Sequence, residues 1–189
     1  KRLVEHHYGE IKSPCTVILN GAPLFNIEKP ESDNSKKIII CSANWRTHKR
    51  LDAIIETVRK LRKNIDCELI VLGDVAESKI TSDSFISFLG SVPHNIVLTH
   101  LEKADLFIHL SWLDPCPNAV VEAISCGLPV VCSNLGGTPE IVKATHGGYI
   151  ANCDNEVDYS GLVDLYNPPF PDIGEVVKCA EYALARSES

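Results

Sequence analysis

The chain has 189 residues, 44% hydrophobic and 23% charged, with a formal net charge of −7. That is enough apolar material for one domain with a buried core, and the acidic balance excludes a non-specific nucleic-acid binder, which needs a basic face. No apolar run reaches the roughly 18 to 20 residues of a membrane-spanning helix, and the first residues do not read as a signal peptide.

Methionine is absent, even at position 1, and the chain opens abruptly at Lys1-Arg2-Leu3-Val4, which reads as the end of a helix. The expectation is a domain excised from a longer protein. A strand is expected at 15–20, followed by a polar surface loop at 28–36 containing Pro30, Ser32, Asp33 and Asn34. Further strands are expected at 37–42, 68–72, 85–89, 105–110, 129–132 and 148–151. In 47–63 the residues Leu51, Ile54, Ile55, Val58 and Leu61 fall on one helical stripe. Helices are also expected over 93–103 and 117–126, each with proline near its first turn. A short helix starts at Pro139-Glu140, and a final one runs over 172–186 after the proline-rich 167–171. The strands are continuously apolar rather than alternating, as in a parallel sheet covered on both faces. Strand-helix alternation then makes the fold class α/β, a Rossmann-like doubly wound parallel sheet in a single domain over 1–189.

The eight cysteines include no Cys-x-x-Cys pair, and Cys41, Cys67 and Cys132 lie in or beside apolar strand-like runs. Buried thiols in a reducing, cytoplasmic compartment are expected, without metal ligation. The seven histidines show no metal-ligand spacing. His109 lies inside a strand pattern, where a core or surface role is expected.

Carboxylates stand at the junctions of the later elements: Asp114 in a loop, Glu122 on a helix, and Glu140 after the Gly136-Gly137-Thr138-Pro139 turn. The carboxyl ends of parallel strands are where open α/β sheets bind ligands, and acidic groups there suit a hydroxyl-rich, sugar-like molecule. Each has a plainer reading. Asp114 can cap a helix with Pro115 at its first position. Glu122 can be a solvated residue on a helix whose apolar face uses Val120, Val121, Ala123 and Ile124. Glu140 can merely stabilise the start of its own helix. Gly136 and Gly137 permit positive φ or close backbone approach to a ligand.

A second cluster is Trp45-Arg46-Thr47-His48-Lys49-Arg50. With Thr47 as N-cap, His48, Lys49 and Arg50 occupy a first helical turn, where cations are unfavourable unless an anion binds. A solvated basic turn or an ion pair is the alternative.

The segment 106–140 resembles the donor-site signature of the GT-B family of retaining glycosyltransferases (glycosyl transferases group 1). Asp114 and Glu122 keep the seven-residue spacing of the family's two glutamates, and Pro117-Asn118-Ala119-Val120-Val121-Glu122-Ala123 and Cys126-Gly127-Leu128-Pro129-Val130-Val131 match as well. Asp114 departs from the pattern, standing one methylene short of the usual Glu.

The resemblance implies the donor-binding half of a two-domain GT-B enzyme. Residues 1–14 would then be a lead-in from an N-terminal domain absent from this sequence, and 172–189 a C-terminal helical segment. It implies that Lys49, with Arg46 as the nearest candidate for the family's arginine, neutralises the diphosphate of a nucleotide sugar. Glu122 would hold ribose hydroxyls. Asp114 and the loop Cys116-Pro117-Asn118-Ala119 would orient the sugar, Val92 would meet the base, and Gly136, Gly137 and Glu140 would complete the site.

The implied reaction is glycosyl transfer with retention, with Asp114, Glu122 and Lys49 in catalytic roles and without a cofactor or essential metal. UDP is the first expectation for the donor nucleotide and GDP the second. The implied acceptor is a glycan or glycolipid bound through the absent domain, which would also supply any membrane-surface contact. The isolated chain is expected to bind nucleotide without turnover. Competing readings are a degenerate nucleotide-sugar-binding module and a GT-B sugar-nucleotide epimerase.

Overall fold

The structure, a computed structural model, describes residues 9–10, 20–23, 36–158 and 163–186. The helix end expected at 1–4 and nearly all of the strand at 15–20 and of the loop at 28–36 lie outside those residues.

The described strands are β1 (Lys37–Ser42), β2 (Cys67–Leu72), β3 (Ile86–Gly90), β4 (Leu106–His109), β5 (Val130–Ser133) and β6 (Gly148–Ala151). The helices are α1 (Leu51–Leu61), α2 (His94–Lys103), α3 (Asn118–Ser125), α4 (Thr138–Thr145) and α5 (Ile173–Arg186). All strand pairs are parallel, in the order β3-β2-β1-β4-β5-β6. The expected strands at 37–42 and 148–151 coincide with β1 and β6, and the ends of the other four differ by at most one residue.

Neighbouring residues of a strand serve opposite cores, which is why the runs are continuously apolar. Ile39, Cys41, Leu69, Val71, Ile108 and Val131 pack on one face with α1 and α5. Ile40, Phe107, Val130 and Cys132 pack on the other with residues of α2, α3 and α4, including Leu101, Val120, Ala123 and Val142. The stripe of α1, with Leu51, Ile54, Ile55, Val58 and Leu61 all buried, contributes about 1.5–3 kcal/mol per side chain. The thiols of Cys41, Cys67, Cys132 and Cys153 are buried and unpaired. Burial pushes Cys132 and Cys153 up to about 12, so these thiols are inert packing groups.

One boundary differs from expectation in a way that matters. Helix α1 begins at Leu51, not at Thr47. Residues Thr47–Lys49 form a single 3-10 turn headed by Arg46, and Arg50 then takes a left-handed conformation with φ 53°. Thr47 is therefore not an N-cap, and the basic residues precede the helix rather than occupying its first turn. A left-handed arginine costs about 1–2 kcal/mol and persists only where surrounding structure holds it. Here the hold is Asp154. Its carboxylate accepts from both terminal nitrogens of Arg50, at 2.9 and 2.7 Å, with both side chains only 2% exposed. Asn134 fixes the Asp154 backbone, accepting from its N–H at 2.9 Å and donating to its carbonyl at 2.9 Å.

Removing one member of a buried pair strands the other charge, which costs about 3–5 kcal/mol. Asp154→Ala is expected to lower the unfolding free energy by that amount, seen as a lower urea midpoint at an unchanged dependence on denaturant. Glu175→Ala, which removes the exposed partner of Lys178, is expected to leave the midpoint where it is.

Candidate functional site

In this strand order the chain reverses direction across the sheet between β1 and β4, and the connections leaving those neighbouring strands diverge to opposite faces. The crevice at their carboxyl ends is where such sheets receive ligands. Three loops meet there, those after β1, β4 and β5. The Trp45 indole N–H donates to the Leu72 carbonyl at 2.8 Å, holding the first loop to the end of β2. The Trp112 N–H donates to the His48 carbonyl at 2.8 Å, joining the second loop to the first. The Gly137 N–H donates to the Asp114 carbonyl at 2.8 Å, joining the third to the second.

That last junction explains the glycine pair. A Cβ on Gly136, at φ +80°, would stand 2.6 Å from the Asp114 carbonyl oxygen, and one on Gly137 would stand 1.8 Å from that of Pro115. The close backbone approach that the glycines permit is made to the Asp114-Pro115 loop itself. No helix begins at Asp114 or Pro115 either, since α3 starts at Asn118 after Pro117. The capping alternative for Asp114 is thereby overturned, because the carboxylate has another partner.

That partner is Lys49, whose Nζ forms an ion pair with Asp114 Oδ2; the side chains are 17% and 10% exposed. Sixty-five residues apart in sequence, the two meet because β1 and β4 are neighbours. His109, the last residue of β4, points its Nε2 at the same carboxylate oxygen from 3.8 Å. This nitrogen is buried and makes no hydrogen bond. Burial pushes the imidazole down to about 4; the Asp114 carboxylate pulls it up and the Lys49 cation pushes it down again. At neutral pH the ring is uncharged. His48 is also lowered, by burial first and by Lys49 next.

Linked to the Asp114 loop through the contact of Cys116 with Asn20 is a pocket of about 360 Å³, lined by Glu122, Asn118 and Val121 of α3, by His94 of α2 and by the segment 20–23. The Asn20 amide donates to Asn118 Oδ1 at 2.7 Å, and its backbone N–H approaches Cys116 Sγ at 3.4 Å. Glu122 and Asn118 were legible as site residues. His94 and Asn20 were not singled out, although each carries a signal: His94 opens a helix directly after Pro93, and Asn20-Gly21 ends an apolar run.

The other expected residues occupy varied environments. Arg46 is exposed at the head of the 3-10 turn. Val92 and Ala119 are half-buried against the second core. Cys116 is half-buried, Pro117 is buried, and Glu140 is exposed in the first turn of α4. A larger cavity, about 840 Å³, opens at the opposite, amino ends of β5 and β6 and holds none of the expected residues. Its Lys143, His146 and Arg186 stand at the carboxyl ends of α4 and α5. Cations at such positions complement the helix partial charge, which accounts for the basic rim without a ligand.

A buried histidine held below its unfolded value of about 6.5 has a stated pH signature. The unfolded chain binds the extra proton first. The stability due to neutral His109 is therefore complete above pH 6.5 and lost between 6.5 and about 4, by at most about 1.4 kcal/mol per pH unit. Urea denaturation from pH 7 to pH 4.5 is expected to show a steeper loss in the wild type than in His109→Gln.

The family model for glycosyl transferases group 1 matches residues 24–166. The N-acetyl-alpha-D-glucosaminyl L-malate synthase of Bacillus anthracis is 27% identical over 168 residues, which cover 82% of this chain and 43% of that protein. The O-antigen chain mannosyltransferase B of Escherichia coli is 36% identical over 78 residues, covering 41% of this chain and 20% of its own length. Among solved structures, WaaG, a glycosyltransferase involved in lipopolysaccharide biosynthesis, superposes with a TM-score of 0.61 at 18% identity, over 82% of this chain and 40% of that one. The fold is thus the Rossmann-like half of GT-B proteins. This chain spans less than half the length of each of these relatives.

Proposed function

We propose, for a chain that belongs to the glycosyl transferases group 1 family, that it is the domain binding the nucleotide diphosphate sugar of a retaining glycosyltransferase. The observation that carries this reading is the Lys49–Asp114 pair at the mouth of the β1/β4 crevice, linked through the Asp114 loop to the pocket lined by Glu122. In transfer the bond between the sugar's anomeric carbon and the diphosphate breaks. The leaving diphosphate gains charge, and a fixed cation beside it lowers the barrier most where water is excluded. Lys49 supplies that cation, with exposed Arg46 reaching in from the same turn.

Glu122 accepts hydrogen bonds from ribose hydroxyls in the pocket, and each charge-assisted bond is worth about 1.5–3 kcal/mol. Asp114 and the residues from Cys116 to Ala119 border the sugar. Gly136 and Gly137 serve indirectly, by letting their loop lie against Asp114 and Pro115. Glu140 lies at the outer edge, and Val92 lies towards the base. A separate acceptor-binding domain, giving access to a glycan or glycolipid, completes the enzyme. We place the reaction in the cytoplasm, a reducing compartment that suits the free thiols of the described core.

Calorimetric titration with UDP, GDP and ADP, each beside its nucleoside, tests the reading. One diphosphate is expected to bind selectively. Lys49→Ala is expected to weaken it about 10- to 100-fold while leaving the nucleoside unchanged. Equal loss for both ligands would remove Lys49 from the diphosphate site.

A further inference from the structure

The proposed role of Lys49 raises a problem. Its Nζ is already engaged by a carboxylate that is only 10% exposed. If Lys49 turns to a diphosphate, Asp114 loses its charge partner in a poorly hydrated place, and an unpaired carboxylate there opposes binding. We infer that His109 is a positioning residue that takes over Asp114 from Lys49, its Nε2–H donating to the carboxylate as the lysine is released to the anion. The inference rests on the diphosphate reading of Lys49 and extends it.

Three observations carry it. His109 Nε2 and Lys49 Nζ address the same oxygen, Asp114 Oδ2. The imidazole nitrogen is buried with its hydrogen-bonding capacity unused, an arrangement that native interiors rarely leave without a purpose. Its 3.8 Å separation exceeds hydrogen-bond range by under about 1 Å, a gap that a small rotation of Asp114 would close. Phe107 on the same face of β4 lies near-parallel to the ring, 6.5 Å between centroids with an interplanar angle of 17°. The charged groups that act on His109 are Asp114 and Lys49. His48 and Arg46 lie further along the same turn.

A histidine serves this exchange better than a second cation would. It is held neutral at ordinary pH by its burial, so it does not compete with Lys49 for Asp114 while the site is empty. It can donate once the lysine has moved. A leucine would fill the same volume and could not donate.

The test is titration of the wild type and variants with UDP, GDP and ADP and the matching nucleosides. His109→Leu is expected to weaken the diphosphate that binds by about tenfold, with nucleoside affinity unchanged. His109→Gln, which keeps an N–H donor at similar reach, is expected to recover most of that loss. In an Asp114→Asn background no carboxylate holds Lys49, and His109→Leu is expected to have no further effect.

An undiminished diphosphate affinity in His109→Leu, an equal loss of nucleoside affinity, or the same loss in the Asp114→Asn background would each overturn the exchange. Lys49→Ala separates the two ideas. If it acts selectively on the diphosphate and His109→Leu does not, only the exchange fails. If Lys49→Ala is not selective, the diphosphate reading itself fails. Should His109→Leu not fold, nitrogen-15 spectra of the wild type decide: the His109 Nε2–H signal is expected to move downfield on saturation with the diphosphate, and an unmoved signal overturns the proposal.

Discussion

Arg50 carries a permanent charge into the interior of this domain, and the site depends on how that charge is held. A guanidinium that is 2% exposed must have a carboxylate, and Asp154, just beyond β6, supplies both oxygens to its fork. The Trp112 ring lies beside the same group, 6.0 Å from ring centroid to guanidinium carbon. The pair holds Arg50 in a left-handed conformation, and that conformation separates the 3-10 turn bearing Lys49 from helix α1. A cation held this way does not ride on the helix. It stands at the crevice mouth, one residue away from a clamp that reaches across the sheet to its last described strand.

Around that clamp two of the junctions between loops are made by main-chain donors and acceptors. Trp112 binds His48, and Gly137 binds Asp114, each by a main-chain N–H. Such joints set loop spacing without consuming the functional groups, which leaves Lys49, Asp114 and His109 as a small electrostatic set in a place of low hydration. The set is balanced at rest. Lysine neutralises the aspartate, and burial keeps the imidazole uncharged. In the proposed exchange an arriving anion would disturb that balance, and the neighbouring histidine would restore it.

How much of this was legible in the chain divides along clear physical lines. Strands and helices were readable because periodicity and continuous apolar runs are local properties. The Asp114/Glu122 spacing with the Gly-Gly turn was readable because a motif that builds one loop is itself local. The start of α1 was not. A polar turn followed by an amphipathic run looks like a capped helix, and only a distant carboxylate, 104 residues away, could hold Arg50 left-handed. The glycine pair signals close backbone approach in the sequence, but only the structure shows that another loop, at Asp114 and Pro115, makes such an approach. His109 read as an ordinary strand histidine, since nothing beside it in sequence announces an acid.

The sequence by itself determined the layered α/β class, the two apolar faces of the sheet and the family, because burial patterns and short motifs are written over a few residues. Tertiary structure decided which charges meet. Lys49 with Asp114, Arg50 with Asp154, and His109 poised over an oxygen that it does not yet bind all follow from a strand order that sets β4 beside β1. Coulombic and hydrogen-bonding contacts act over a few ångströms in space and are indifferent to separation along the chain.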